Sequence, residues 1–204
     1  MKQSQLKLRL PLRFVVFLFA ASAGFPSASR AQAPVFEVTP EVSTVRFGVK
    51  ASVPIEGTFE KWNATLTFTS TDLATGVLDI QIQAASVNTG SGMKDGKLKS
   101  KDFFNAEHDP LITFKSTKIV QTGPNAFEVD GNFTIRGVSK PEKLELTVSG
   151  RGSPSGEING TMAFDRKDYG MNSGIPFIRI ADRVEVTVAL KVKRVSGPPV
   201  DLKE

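Results

Sequence analysis

Apolar and polar residues alternate along most of the chain between residues 43 and 192. Between residues 43 and 50, apolar Val45, Phe47 and Val49 alternate with polar side chains, and residues 127–135 repeat the pattern. A period of two puts successive side chains on opposite faces of a β-strand. The same alternation marks six further segments, centred near Leu66, Ile80, Phe114, Leu146, Met162 and Val188. The pattern therefore predicts an all-β protein of about eight strands.

Each predicted strand has one apolar and one polar face, which is typical of an antiparallel sheet with one side in water. Turn-forming residues separate the strands at 122–125, 137–141 and 150–156. A sheet of this length protects its edges by folding into a sandwich or by closing into a barrel. The alternation alone is compatible with both architectures.

Two segments depart from the strand pattern. Residues 91–105 lack alternation, and Leu98 to Phe103 within them predicts a short helix or an ordered loop over one end of the sheet. Residues 196–204 contain Pro198 and Pro199 at the chain terminus, which predicts a flexible tail.

The first 31 residues have the features of a cleavable secretory leader. Residues 1–13 carry four basic and no acidic side chains, and residues 14–25 form an uncharged, mainly apolar run. This run is shorter than the roughly 20 residues that a membrane-spanning helix needs. Cleavage fits after Ala31 or Ala33, and we favour Ala31 because the other cut would leave Pro34 next to the bond. The leader predicts a periplasmic protein.

Loss of the leader changes the electrostatic interpretation. The whole chain has 26 basic and 21 acidic residues, but five of the basic residues lie in positions 1–31. The mature chain therefore has equal numbers of both, which gives no support for nucleic-acid binding. About 170 residues remain, enough for one domain. The absence of cysteine excludes disulfides, thiol chemistry and thiolate metal sites.

No motif in the sequence indicates catalysis. His108 is the single histidine, so a metal site or a Ser-His-Asp triad has only one candidate imidazole. Residues 90–97 superficially resemble a phosphate-binding loop, but Ser91 stands in place of the first glycine and Leu98 in place of the final hydroxyl residue. We therefore expect no catalytic residue, no metal and no cofactor.

Phenylalanine dominates the aromatic residues of the mature chain, which has 11 of them against one Trp and one Tyr. Most of them lie on the predicted inward faces, among them Phe47, Phe68, Phe114, Phe133 and Phe164. They are interpreted either as ordinary core or as the lining of a barrel that holds one small apolar ligand.

Six motifs, in this order, resemble those of the YceI-like family of bacterial periplasmic polyisoprenoid-binding proteins. They are residues 36–38 (FEV) with 43–47 (STVRF), 57–59 (GTF), 98–104 (LKSKDFF), 110–116 (PLITFKS), 131–141 (GNFTIRGVSKP) and 166–171 (RKDYGM). The resemblance spans about Phe36 to Val195, within a predicted barrel domain of residues 32–195. It implies an extended lipocalin-like antiparallel β-barrel with a short helix or lid.

The resemblance also implies a ligand, a long amphipathic lipid such as an isoprenoid or isoprenoid quinone, held in the barrel lumen. One position departs from the family. Where similar members carry an acidic residue and a histidine before Leu-Lys-Ser, this chain has Gly96 and Lys97. Lys97 is interpreted either as a contact for a phosphate or carboxylate or as a solvated lysine of the lid.

On this basis we predict the residues that bind the ligand. The lumen set is Phe47, Phe59, Phe68, Phe114, Phe133, Ile135, Met162 and Phe164. The predicted mouth consists of Leu98, Phe103 and Phe104, with Arg166, Asp168 and Tyr169 near the opening. An ion pair between Arg166 and Asp168 is an alternative to a role in binding.

The predicted function is a non-enzymatic periplasmic lipid carrier, with an amphipathic lipid as its partner and transient contact with a membrane or membrane redox protein. The oligomeric state is left open, a dimer included. One alternative is an envelope interaction or stress-response module whose phenylalanines are only core. Another is an enzyme that acts on a lipid headgroup with His108 as its base.

Overall fold

The computed structural model describes residues 32–174 and 179–203, so the predicted leader at residues 1–31 lies outside the described residues. Eleven strands and one α-helix make up this part of the chain. The strands are β1 (Val35–Val38), β2 (Thr44–Ala51), β3 (Ile55–Phe59), β4 (Trp62–Thr67), β5 (Val77–Gln83), β6 (Val87–Asn88), β7 (Leu111–Gln121), β8 (Ala126–Ile135), β9 (Val138–Ser149), β10 (Ser155–Asp165) and β11 (Ile180–Ser196). The helix α1 is Gly92–Lys99.

Eight of the described strands close into an antiparallel barrel. Their order is β1-β4-β5-β7-β8-β9-β10-β11, and β1 pairs with both β4 and β11. This double pairing removes the free edges that an open sheet would expose. The structure thus confirms the predicted lipocalin-like barrel with a short helix and decides against the sandwich.

The remaining three strands extend the sheet beyond the ring. The first half of β11 pairs with β2, while its last residues pair with β1, so β1 and β2 lie end to end along one neighbour. Pro40 begins a single 3-10 turn between them, where its missing N–H would interrupt a ladder. The Ser43 hydroxyl accepts from the Lys191 N–H at 2.9 Å and donates to the Thr39 carbonyl at 2.6 Å. This side chain therefore supplies the hydrogen bonds that the break leaves unmade.

The predicted alternation agrees with the burial of side chains. In β8, Phe127, Val129, Gly131, Phe133 and Ile135 are all buried, while the residues that alternate with them are exposed or half-buried. The predicted inward faces of the other long strands contribute most of the same core. Their phenylalanines, isoleucines and leucines therefore fill or line the interior of the barrel.

Three strands were missed because they are too short to show a period. They are β1, β3 and β6, of four, five and two residues. Of these, β1 closes the ring, whereas the predicted strand that became β2 belongs to the extension. The predicted number of about eight strands therefore equals the number in the ring, but the predicted set contains β2 in place of β1.

The helix begins earlier than predicted. It covers Gly92–Lys99, whereas the short helix or ordered loop was predicted at Leu98 to Phe103; of these residues, Ser100 to Phe103 form a bend and turns. Two glycines weaken the helical signal in the sequence. The Asp95 carboxylate accepts from both the N–H and the hydroxyl of Thr89, at 2.8 and 2.7 Å. These bonds tie the first helical turn to the preceding loop.

The C-terminal segment, which was predicted to be a flexible tail, follows a defined path in the structure up to residue 203. β11 continues to Ser196, and residues 197–203, which we name the C-terminal strap, lie across one end of the barrel. The Asp201 N–H donates to the Thr71 carbonyl at 2.8 Å, and the Lys203 N–H donates to the Gln121 side chain at 2.7 Å. The tail was predicted from its terminal position and its two prolines. That prediction did not consider the apolar side chains of Val200 and Leu202, which lie between the two hydrogen bonds and line the end of the barrel.

Helix α1 is too short to span a membrane, and the described residues contain no other helix long and apolar enough to do so.

Candidate ligand-binding cavities

Two cavities in the described part of the barrel are lined by apolar side chains of the core, and the larger of these, at the strap end, has a volume of about 340 Å³. That volume falls within the range of about 300–1,000 Å³ that small-molecule sites occupy. All eight strands of the ring contribute apolar side chains to its wall: Phe36, Leu66, Leu78, Ile119, Phe127, Leu146, Val148, Ile158 and Val192, together with Phe68 and Leu73 from the loop after β4. The cavity is therefore part of the barrel lumen.

The rim of this larger cavity is more polar than its wall. It consists of the β9–β10 hairpin turn, residues 149–156, and of Pro199, Val200 and Leu202 from the C-terminal strap. Arg151 and Arg194 are the charged residues among the described residues that line the cavity. An apolar interior below two guanidinium groups is suited to an amphipathic molecule.

The smaller cavity, of about 60 Å³, lies at the opposite end, beneath α1. Most of the predicted site residues line it: Phe47, Phe59, Leu98, Phe103, Phe104, Phe133, Ile135, Phe164 and Arg166. Two aromatic groups pack beside it. Phe47, Phe59 and Phe104 have ring centroids 5.5–6.2 Å apart, and Phe133 and Phe164 lie 4.9 Å apart. This volume is far below that of a typical ligand site.

The predicted mouth at the helix end is covered in the structure. Leu98, Phe103 and Phe104 are all less than 8% exposed, so they close this end of the barrel instead of surrounding an opening. Lys97 contacts the Asp102 carboxylate at 2.6 Å and lies 5.8 Å from the centre of the Phe103 ring. The Lys97 ammonium lowers the pKa of Asp102 below its ordinary value. Lys97 is thus already paired with a carboxylate.

Arg166 is buried and fully engaged. Its guanidinium donates to the carbonyls of Ala181, Met171 and Ser173, and it lies 3.2 Å from the Asp182 carboxylate. A hydrogen bond from Lys167, with the charges of Lys167 and Arg166, lowers the pKa of Asp182 despite its partial burial. The geometry indicates that Arg166 holds the chain after residue 170 against β11.

The predicted ion pair between Arg166 and Asp168 is not formed. Asp168 is exposed and lies 3.5 Å from Lys140. The reason is the 3-10 turn at Arg166–Tyr169, which directs the two side chains to opposite sides. Asp168 lines neither cavity.

Tyr169 lies in the core and not at an opening. Its side chain packs edge-on against Phe133 and Phe164, and its hydroxyl donates to Glu142 at 2.8 Å. Burial and this carboxylate raise the pKa of Tyr169 well above its ordinary value. Tyr169 lines neither cavity.

The middle of the barrel is packed. Phe114 and Met162 are buried but line neither cavity, and no described residue lines both cavities. A Cβ at Gly131 would lie 2.5 Å from the Phe114 ring, so the ring lies directly against the backbone of the next strand. Two other predicted residues use the same arrangement, with the Phe47 ring against Gly57 and the Phe68 ring against Gly76.

Only one of the predicted site residues, Phe68, lines the larger cavity. Alternation already placed Leu78, Leu146 and Ile158 on inward faces, so these wall residues could have been identified. The residues of the strap and Arg151 were missed because turns and termini carry no periodic signal. Arg194 was missed because a charged residue interrupts the apolar alternation near the end of β11. His108 is exposed in a turn and lines neither cavity. The described residues contain no cluster of acidic or histidine side chains suited to a metal ion.

The fold and the larger cavity together define an extended lipocalin-like β-barrel with an apolar interior site. Residues 36–192 match the family model described as a YceI-like domain, and the chain belongs to that family.

Relatives and solved structures agree with this assignment. A UPF0312 protein of Pseudomonas savastanoi pv. phaseolicola is 30% identical over 133 residues, which cover 63% of this chain and 69% of that protein. The crystal structure of Burkholderia cenocepacia BcnA is 28% identical, with a TM-score of 0.69 over 76% of this chain and 99% of BcnA. The fold is also that of a polyisoprenoid binding domain from Saccharophagus degradans implicated in plant cell wall breakdown, at 16% identity and a TM-score of 0.64 over 79% and 99% of the two chains.

Proposed function

We propose that this protein is a non-enzymatic periplasmic carrier that binds the chain of a long amphipathic isoprenoid-type lipid, a polyprenyl compound or a quinone, in its barrel. The observation that carries the proposal is the apolar cavity of about 340 Å³, to which all eight strands of the ring contribute. The polyisoprenoid binding domain that shares this fold supports the choice of ligand class.

The energetics of the cavity favour a chain-like apolar ligand. Transfer of each methylene from water to an apolar site contributes about 0.8 kcal/mol, or roughly a fourfold change in affinity. Loss of translational and rotational freedom offsets part of this gain. Affinity should therefore rise with chain length until the ligand reaches the packed layer at Phe114 and Met162.

The charged groups near both cavities support carriage and not catalysis. Arg151, Arg194 and Arg166 are the charged residues among the described lining residues, and a guanidinium stays protonated, so none of them is a general base. His108 is exposed and remote from both linings.

The periplasmic part of the proposal rests on the leader at residues 1–31. A lipid that crosses an aqueous space between two membranes needs an apolar enclosure, and a barrel with an interior cavity supplies one. Transient contact with a membrane or a membrane redox protein would load and unload it.

The proposal is tested by titrating delipidated protein with geraniol, farnesol and geranylgeraniol, and with a short-chain ubiquinone, by calorimetry. We expect saturable binding with one ligand per chain and an affinity that increases from geraniol to farnesol. Absence of saturable binding for every one of these compounds would contradict it.

A matched pair of variants places the ligand in the larger cavity. Val148 lines the cavity from β9, and its neighbour Thr147 is exposed on the outer face of the same strand. Val148→Trp should fill the cavity and weaken farnesol binding at least about tenfold, since several methylenes lose their site. Thr147→Trp should leave the affinity within about twofold of the unmodified protein.

One observation favours a second candidate, an envelope interaction module without a stoichiometric ligand. The middle of the barrel is filled by Phe114, Met162 and their neighbours, as in an ordinary core. The same titration separates the two functions, because an interaction module would retain its fold and bind none of the prenyl compounds.

A further inference from the structure

The two ends of the barrel differ in how their cationic side chains are satisfied. At the helix end, Arg166 pairs with Asp182 and Lys97 with Asp102, so both cations already have carboxylate partners. At the strap end, Arg194 and Arg151 line the larger cavity. Neither arginine has a carboxylate within ion-pair distance among the described residues.

The partners of these two arginines are neutral main-chain carbonyls. Arg151 donates to Lys203 O at 3.2 Å and to Pro124 O, and Arg194 donates to Gly197 O. Gly197 and Lys203 are the first and last residues of the C-terminal strap. A guanidinium bonds a carboxylate or phosphate about twice as strongly as a neutral acceptor, and often through two parallel bonds. An anion at this rim would therefore compete with the strap for the same donors.

The strap is attached by few contacts. Apart from the bonds to the two arginines, the hydrogen bonds that join the strap to the rest of the described chain involve two of its residues. Asp201 bonds to the main chain and the side chain of Thr71, and Lys203 bonds to the side chain of Gln121. Val200 and Leu202 are only partly buried. A segment with few buried contacts and exposed hydrogen bonds opens at low free-energy cost relative to the core.

We propose that the strap end is the entrance for the ligand, and that displacement of the strap transfers Arg151 and Arg194 from the strap carbonyls to an anionic headgroup. The chemical class of that headgroup is a phosphate or carboxylate on an apolar chain. The inference rests on the proposed carrier function and specifies its polar site. The proposed entrance therefore lies at the end of the barrel opposite to the helix, whereas the mouth was predicted at the helix end.

The charge preference is tested with farnesyl phosphate, farnesol and inorganic phosphate. The delipidated protein should bind farnesyl phosphate at least about tenfold more tightly than farnesol, because charge-assisted hydrogen bonds are added to the same chain. The double variant Arg151→Gln/Arg194→Gln should lose this preference, so that its affinities for farnesyl phosphate and for farnesol lie within about twofold of each other. Arg136→Gln is the control, since Arg136 also donates to a main-chain carbonyl, that of Gly170, but at the helix end.

Each outcome of this test is decisive. A double variant that keeps the phosphate preference, or an unmodified protein that binds both farnesyl compounds equally, overturns the headgroup site but leaves the carrier function standing. Binding of neither compound overturns the headgroup site, and it overturns the carrier function as well when the other prenyl alcohols and the ubiquinone also fail to bind. If inorganic phosphate binds as tightly as farnesyl phosphate, the site recognises a free anion and the headgroup assignment is wrong.

The role of the strap is tested by locking it in place. The chain has no cysteine, so Thr71→Cys/Asp201→Cys introduces a unique pair at side chains that touch at 2.6 Å. Intact mass establishes disulfide formation. The oxidised form should take up farnesol at least about tenfold more slowly than the same protein after reduction, because the strap must open first. Equal association rates in the two forms would overturn the gating role.

A variant chain that ends at Gly197 provides a second test of whether the strap controls entry of the ligand. Without residues 198–204 the ligand should associate and dissociate faster, and the melting transition should remain cooperative because the ring of strands is intact. A truncated protein that folds but binds at an unchanged rate would contradict an entrance beneath the strap.

Discussion

Phe114 and Phe68 were both predicted to line the ligand site, and the structure separates them. Phe114 is 4% exposed and its ring lies against the Gly131 backbone. Its replacement by Ala leaves a cavity in the packed middle layer, so Phe114→Ala should lower the free energy of unfolding by about 3–5 kcal/mol. The fold should survive, since domains of this kind are stable by about 5–15 kcal/mol.

Phe68 is half-buried, contacts Phe36 with ring centroids 5.7 Å apart, and faces the larger cavity. Full burial of a large apolar side chain contributes about 1.5–3 kcal/mol, and one side of this ring has no protein neighbour to lose. Phe68→Ala should therefore cost only about 1–2 kcal/mol. Its effect on farnesol binding should be larger than that of Phe114→Ala, because only Phe68 lines the larger cavity.

Urea unfolding of the delipidated proteins, followed by the fluorescence of the single tryptophan, measures both stability changes. The midpoint should shift without a change in slope, since the surface exposed on unfolding is the same. Equal stability costs for the two variants, or a Phe114→Ala protein that loses ligand while Phe68→Ala retains it, would refute the assignment of packed and ligand-lining phenylalanines.

Three further variants and one pH titration test the local contacts. Arg166→Met should lower the free energy of unfolding by about 1–3 kcal/mol, because it leaves buried main-chain carbonyls without their donor while Asp182 keeps Lys167 as its partner; a change within about 0.5 kcal/mol in urea unfolding, as for a surface substitution, would contradict that role. The single tyrosine, Tyr169, should ionise in the folded protein only well above pH 10, its ordinary value. Unfolding free energy should then fall as the pH rises past about 10, where only the unfolded chain ionises, whereas an ordinary ultraviolet titration curve would argue against the burial of the phenol. Gly131→Ala should lower the free energy of unfolding by about 1–3 kcal/mol, because the added Cβ clashes with Phe114. Gly96→Ala adds a Cβ that meets nothing within 4 Å and should raise the free energy of unfolding by about 0.5–1 kcal/mol, since alanine favours the helix. Calorimetric melting that gave the opposite order of stability for these two variants would contradict the packing.

The wall of the barrel could be predicted because burial on one face imposes a period of two on each long strand. Phe127, Val129, Phe133 and Ile135 show this most clearly. Closure of the ring could not be predicted from the alternation, because it depends on the four residues of β1 pairing on both sides. The family resemblance was needed to choose the barrel over the sandwich.

The position of the cavity depends on packing that the sequence pattern does not contain. Phe114 and Phe68 have the same residue type and the same inward orientation. Both rings pack against a glycine, but the Phe114 ring is enclosed in the middle layer, whereas the Phe68 ring also borders an unfilled volume. Which layer of a barrel is filled is decided by the sizes of facing side chains on several strands, so it becomes visible only in three dimensions.

The polar elements of the site were the hardest to predict. Arg166 was predicted near an opening at the mouth; in the structure it is buried and its partners come from Ala181, Met171 and Asp182. Of the arginines at the strap end, Arg151 lies in a turn, where no periodicity guides an interpretation, and Arg194 lies near the end of β11, where its charge interrupts the apolar alternation. Their importance follows from which carbonyls the folded chain brings to them.

The most direct test of the account is mass spectrometry of the mature protein, purified from the periplasm without detergent and extracted with organic solvent. We predict one isoprenoid-type lipid per chain in the unmodified protein, and a marked loss of that lipid from Val148→Trp but not from Thr147→Trp. Reproducible absence of any stoichiometric lipid, together with failure of the delipidated protein to bind quinones or polyprenyl phosphates, would contradict the central claim that the barrel is a lipid carrier.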